Sequence, residues 1–205
     1  MNRYTTVAKE ASAEQVIDRS RFIAHIARAF SKDEADAYIA GIRAQYKDAT
    51  HNVPAFIVGE KSELKWTSDD GEPQGTSGPP MLQMLEREGL TNVVCVVTRY
   101  YGGIKLGTGG LVRAYTSSAK MALEAAGKHT VKDVARFSAE IPYTLLGKLQ
   151  NLEKDEPYTI EDLQYADSVR MVLKTDLEDE TRVRELLMEL SSGTVRTGET
   201  AYTIE

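Results

Sequence analysis

The apolar positions of this chain change period several times, and each change marks an element. Over residues 21–30, Phe22, Ala24, Ile26 and Phe30 share one face by alternation, which predicts a strand. Ser31 and Glu34 then form a capping box, and Ala35, Tyr38, Ile39, Ile42 and Tyr46 recur at helical spacing, so 32–46 reads as an amphipathic helix. Residues 53–58 read as a second strand. Residues 60–80 are polar and rich in Gly, Ser and Pro, the composition of a long loop, with Trp66 as an exposed aromatic. Pro79 and Pro80 open a short helix carrying Met81, Leu82 and Leu85, which Gly89 ends. Thr91 to Thr98 is apolar and β-branched at consecutive positions, the pattern of a central strand buried on both faces. A glycine-rich loop over 102–110 leads into a helix over 111–126 that Gly127 caps.

From residue 134 the pattern starts afresh. Ala135, Phe137, Ala139 and Ile141 alternate with Arg136, Ser138 and Glu140, a half-buried strand. Leu145, Leu146, Leu149 and Leu152 mark a helix, and strands follow near 157–164 and 168–174. Val183, Leu186, Leu187 and Leu190 mark another helix, and a last strand runs over 195–204. The order βαββαβ is that of a ferredoxin-like α+β sandwich. We therefore expect two domains, 1–133 and 134–205.

Composition adds constraints. Hydrophobic residues make up 41% and charged residues 27%, which excludes disordered and fibrous classes. The single cysteine, Cys95, excludes a disulfide framework within the chain. No stretch approaches the ~20 apolar residues of a membrane helix, and the first residues lack a secretory pattern, so a cytoplasmic protein without membrane association is expected. Charge is uneven. Residues 1–133 hold 17 Lys or Arg against 16 Asp or Glu, whereas residues 134–205 hold 8 against 15. Six basic residues (Arg99, Lys105, Arg113, Lys120, Lys128 and Lys132) fall between 99 and 132 with one acid, Glu124, the concentrated positive region of the sequence.

That region contains the strongest local feature. A strand feeds Arg99-Tyr100-Tyr101-Gly102-Gly103-Ile104-Lys105-Leu106-Gly107-Thr108-Gly109-Gly110, and a helix carrying Arg113 follows. Glycines let backbone amides turn toward a ligand, and a helix start adds free donors and partial positive charge. With Lys105 and Arg113 this makes a phosphate or nucleic-acid site, with Tyr100 or Tyr101 placed to stack. The other reading is that the glycines permit tight helix–sheet packing. Neither the dinucleotide fingerprint nor the Walker A loop is present, and no cofactor is expected.

A second feature is Ser68-Asp69-Asp70-Gly71-Glu72-Pro73. Asp69, Asp70 and Glu72 are either Mg²⁺ ligands or members of a turn, and Asp69 or Asp70 is a candidate partner for Arg99. His51 is a candidate base or a structural hydrogen-bonding residue. His25 sits in a strand and His129 in a helix-exit turn, with no zinc pattern. Cys95 lies among valines and reads as an inert core thiol.

The pieces Ser20-Arg21-Phe22-Ile23, Ala49-Thr50-His51-Asn52, Ser68–Pro73 and above all Arg99-Tyr100-Tyr101-Gly102-Gly103-Ile104-Lys105-Leu106-Gly107 closely resemble the YigZ-like bacterial branch of the IMPACT family. The resemblance implies an N-terminal domain similar to domain IV of elongation factor G and to the second domain of a small-subunit ribosomal protein. It implies a C-terminal domain similar to domain V of that factor. Eukaryotic relatives restrain a stress kinase acting on an initiation factor by competing for its activator protein. Residues and resemblance together lead us to expect a non-enzymatic regulator of translation that binds RNA, the ribosome or a translation-related protein through Arg99, Tyr100, Gly102, Gly103, Lys105, Gly107, Thr108, Gly109, Gly110 and Arg113. The alternatives are a metal-dependent hydrolase using Asp69, Asp70 and Glu72, and a regulator that docks proteins on its acidic C-terminal domain.

Overall fold

The computed structural model describes residues 2–205 and divides them into two compact units. One is Tyr4–Thr130; the other is Val131–Glu205, which takes in the chain's first described residues up to Arg3. No helix among the described residues is long and apolar enough to cross a membrane.

In chain order the elements are β1 (Asn2–Val7), β2 (Ala11–Ile17), β3 (Ser20–Arg28), α1 (Lys32–Gln45), β4 (His51–Val58), β5 (Leu64–Thr67), α2 (Gly78–Arg87), β6 (Val93–Tyr100) and α3 (Gly107–Ala126). They are followed by β7 (Lys128–Ile141), α4 (Tyr143–Leu152), β8 (Tyr158–Tyr165), β9 (Val169–Asp176), α5 (Glu180–Leu190) and β10 (Arg196–Ile204).

The first unit is built on an antiparallel sheet of order β2-β3-β6-β4-β5. β6 is central and sends side chains into two cores. Val93, Cys95 and Val97 join Phe22, Ala24, Val53, Met81, Leu85, Tyr115 and Ala119 on the side of α2 and α3. Val94 and Val96 join Phe56, Ala35, Ile39 and Ile42 on the side of α1. A strand with apolar residues at every position satisfies both faces at once, which is why its sequence shows no alternation. Full burial also pushes the Cys95 thiol up to about 12, so it carries no thiolate near neutrality.

Several sequence expectations are corrected. The 60–80 loop contains β5, whose exposed edge pairs with β4 through its main chain and sets Trp66 against Phe56 at 5.6 Å between ring centroids. β2 shows no clear apolar period, because Ala11, Ala13 and Gln15 on its inward side are weakly apolar before Ile17 and Val16 points outward. β1, too, has no counterpart in the sequence reading. Phe30 lies past the end of β3 and is exposed, and its amide, one residue before the N-cap Ser31, donates to the Glu34 carboxylate. α3 starts at Gly107, four residues early, so Gly107, Thr108, Gly109 and Gly110 form its first turn. β7 begins at Lys128, which places His129 in a strand.

In the second unit β7 lies between β9 and β10, with β8 outside β9, all antiparallel, and β1 also pairs with β7. The order β10-β7-β9-β8 is the split βαβ arrangement that a βαββαβ chain forms. Phe137, Ile141, Met171 and Leu173 pack with Leu149 of α4 and with Val183 and Leu187 of α5.

Candidate functional site

The far end of β6 carries a buried polar network. Arg99, the next-to-last residue of β6, donates from Nη1 to Glu72 Oε1 at 2.6 Å, and their side chains are 5% and 4% exposed. The Tyr115 hydroxyl of α3 donates to the same oxygen at 2.7 Å. Burial, and then the Glu72 carboxylate, raise the pKa of that hydroxyl, so it stays a donor. Arg99 Nη2 donates to Ser20 Oγ. Its Cζ lies 5.4 Å from the Phe22 ring centroid and 5.3 Å from that of Tyr101, and its buried Nε finds no acceptor. The guanidinium is thus held by one carboxylate, one hydroxyl and two aromatic rings.

The loop from Ser68 to Gly78 folds so that its three acids separate. Asp69 accepts from the amides of Gly75, Ser77 and Gly78 and from the Ser77 hydroxyl, closing the loop and capping α2. Burial alone would raise the Asp69 pKa, but these donors hold it below the ordinary carboxylate value. Asp70 accepts from the Asn52 amide and from Arg43. Glu72 goes to Arg99. The acids therefore do not converge on one point, and no group of three or more His, Cys, Asp or Glu among the described residues is arranged to hold an ion. This corrects both the metal-hydrolase alternative and the pairing of Arg99 with Asp69 or Asp70.

Beside the network opens a cleft of about 460 Å³, lined by Thr50, His51, Glu72, Pro73, Arg99, Tyr101, Lys105, Leu106, Gly107, Thr108 and Leu111. The main chain around it is pinned. The Thr50 amide donates to the Arg99 carbonyl, and the Tyr101 amide donates to Thr50 Oγ1. Gly102 approaches β3 so closely that a Cβ there would stand 2.0 Å from the Arg19 carbonyl carbon. Gly107 starts α3 with φ +69°, the left-handed region that favours glycine. The N-cap residue, Leu106, offers no side-chain acceptor to the first-turn amides.

Two family models match: the Impact N-terminal domain over residues 18–123, which takes in every residue of the cleft, and a domain of unknown function, DUF1949, over 140–194. The chain is 36% identical over 204 residues to the IMPACT family member YvyE of Bacillus subtilis, covering 98% of this chain and 94% of that one. It belongs to the IMPACT family. The IMPACT family member YigZ of Escherichia coli is 35% identical over 154 residues, 74% of this chain and 76% of its own. A crystal structure of a hypothetical protein superposes with a TM-score of 0.62 at 30% identity, covering 96% of this chain and 97% of that one.

In this IMPACT-family chain the residues expected to form one anion site are divided between two places. Lys105, Gly107, Thr108 and Arg99 border the cleft with His51 and Glu72. Gly110 and Arg113 instead line a separate groove of about 950 Å³ beside Met84 and Lys120, which holds none of the buried polar network. Tyr100 turns away from the cleft, its hydroxyl donating to Asp48 and its ring under Arg21, so Tyr101 is the aromatic at the site. Arg99 does not offer a free charge. Lys120 and Lys128 meet Glu88, and Lys132 meets Asp176. Among the described residues, Lys105 and Arg113 are the members of the 99–132 basic set without an ion-pair partner. Thr50, Pro73, Leu106 and Leu111 line the cleft although nothing in the sequence pointed to them as site residues. Of the two tyrosines offered for stacking, the structure places Tyr101 at the cleft.

The acidity of 134–205 is also less available than its composition implies. Glu156, Glu161, Asp176, Glu180 and Glu205 all face Lys or Arg.

Proposed function

We propose that this protein is a cytoplasmic, non-enzymatic binding protein of the translation apparatus, gripping a phosphate group of RNA or the ribosome at the rim of the β6–α3 cleft. The observation that carries it is the meeting, on one rim, of the unpaired ammonium of Lys105 with the uncapped first turn of α3 at Gly107 and Thr108. The translational setting follows from the family resemblance. In the same reading, the two units correspond to domains IV and V of elongation factor G.

The test is ribosome co-sedimentation together with filter binding of a single-stranded RNA, at about 50 and about 200 mM salt. Wild type should lose affinity steeply across that range. Lys105→Ala should weaken binding of all sequences alike and lower the salt slope by about 1. Binding that ignores both salt and Lys105→Ala removes this reading.

A further inference from the structure

The wall of the cleft carries two acceptors that the protein leaves unfilled. His51 Nδ1 lies 2.8 Å from the Asp70 carbonyl oxygen, which can only accept, so the ring proton of neutral His51 sits on Nδ1 and Nε2 presents its lone pair. Nε2 stands 3.8 Å from Glu72 Oε1, too far to share a proton. Glu72 Oε1 is occupied by Arg99 and Tyr115, whereas Oε2 accepts no hydrogen bond from a described residue. Both side chains line the cleft and are mostly buried, at 18% and 4% exposure. Neighbouring unfilled acceptors call for a ligand group with more than one N–H, and an amino group on a planar ring supplies two.

The other walls fit the rest of such a ligand. Tyr101 is 45% exposed and its ring rests against the Arg99 guanidinium, a held platform on which a heteroaromatic base can stack. Lys105 and the start of α3 give the cleft a positive rim. Its volume, about 460 Å³, suits one nucleotide.

We propose that this cleft is a pocket for a single unpaired nucleotide whose base bears an exocyclic amine: cytosine, adenine or guanine. The base stacks on Tyr101, the amine donates toward His51 Nε2 and Glu72 Oε2, and the phosphate meets Lys105 and the first turn of α3. The phosphate placement rests on the function proposed above; the base placement is independent of it. Free nucleotides and unpaired residues of an RNA strand share this chemistry.

The experiment titrates the full chain with CMP, UMP, AMP, IMP and cytidine by calorimetry, and follows the His51 and Tyr101 ring signals by NMR. CMP should bind at least about tenfold tighter than UMP, and AMP likewise tighter than IMP, because the keto bases put an acceptor against two acceptors. Tyr101→Ala should weaken CMP about tenfold, whereas Tyr101→Phe, which keeps the ring against Arg99, should bind as the wild type does. A second arm compares CMP with six-residue oligo-C and oligo-U. Oligo-C binding tighter than CMP assigns the pocket to RNA, whereas CMP binding as tightly as oligo-C assigns it to the free nucleotide. Equal affinity for CMP and UMP, no binding of any of the four nucleotides, or an unaffected Tyr101→Ala overturns the pocket. If CMP and UMP bind equally but both respond to salt and to Lys105→Ala, the phosphate site stands and the base pocket falls. If CMP and cytidine bind alike while UMP is rejected, the base pocket stands and the phosphate site falls.

Discussion

The two sheets of this protein treat charge in opposite ways. The sheet of the first unit is covered on both faces, and the charges at the end of its central strand are buried, with Arg99 and Glu72 held by each other, Ser20 and Tyr115. The sheet of the second unit turns one face to α4 and α5 and leaves the other to solvent. On that outer face Arg136 of β7, Glu161 of β8, Lys174 of β9 and Glu205 form a ladder of ion pairs. A charge on a solvated face costs little to keep and contributes little when paired. A buried charge is tolerated only when it is paired, so its presence marks where the fold has been built around something other than packing.

The largest test of this contrast is Glu72→Ala. It leaves Arg99 buried without its carboxylate and should cost about 3–5 kcal/mol in urea unfolding. Asp69→Ala comes next, at about 1.5–3 kcal/mol, because four hydrogen bonds to one carboxylate are lost. Its pH dependence has a definite sign. The folded Asp69 pKa is below the unfolded one, so the stabilisation is complete above the unfolded value and disappears as pH falls through the folded value. The stability gap between wild type and Asp69→Asn should therefore narrow as pH falls through and below the ordinary carboxylate range.

Gly102→Ala should cost about 1–3 kcal/mol by pushing the β6–α3 turn off β3, read as a lowered melting temperature. Arg136→Ala, on the outer face of the second sheet, should cost no more than about 1 kcal/mol, and less at high salt. A cost equal to that of Glu72→Ala would erase the contrast between the sheets. The smallest effect has the opposite sign. Gly109 lies within α3 with open space around its Cβ position, so Gly109→Ala should stabilise by about 0.5 kcal/mol. A loss there would return this glycine to the loop that the sequence suggested.

How far the sequence could be read depended on the strength of each local signal. α1 was legible to within a residue because its capping box and apolar stripe agree. β6 was legible because a short run of β-branched residues, apolar at adjacent positions, fits a strand buried on both faces. β2 and β5 were not, since an edge strand is held by main-chain bonds that need no apolar side chain. At the site, the sequence shows the glycine run and Lys105 but reads the run as one loop. Gly110 and Arg113 project to another side of α3 from Thr108, a division that depends on where the helix begins.

By itself the sequence determined the periods, and through them most of the strands and helices, the βαββαβ order after residue 134 and the family signature around Arg99. Only the tertiary structure decided which charges meet. Glu72 and Arg99 are 27 residues apart and Ser20 and Arg99 are 79 apart. Those meetings are fixed by sheet register and by the fold of the Asp69 loop. Local pattern carries neither, because side-chain periodicity records which face is buried and not what lies across it.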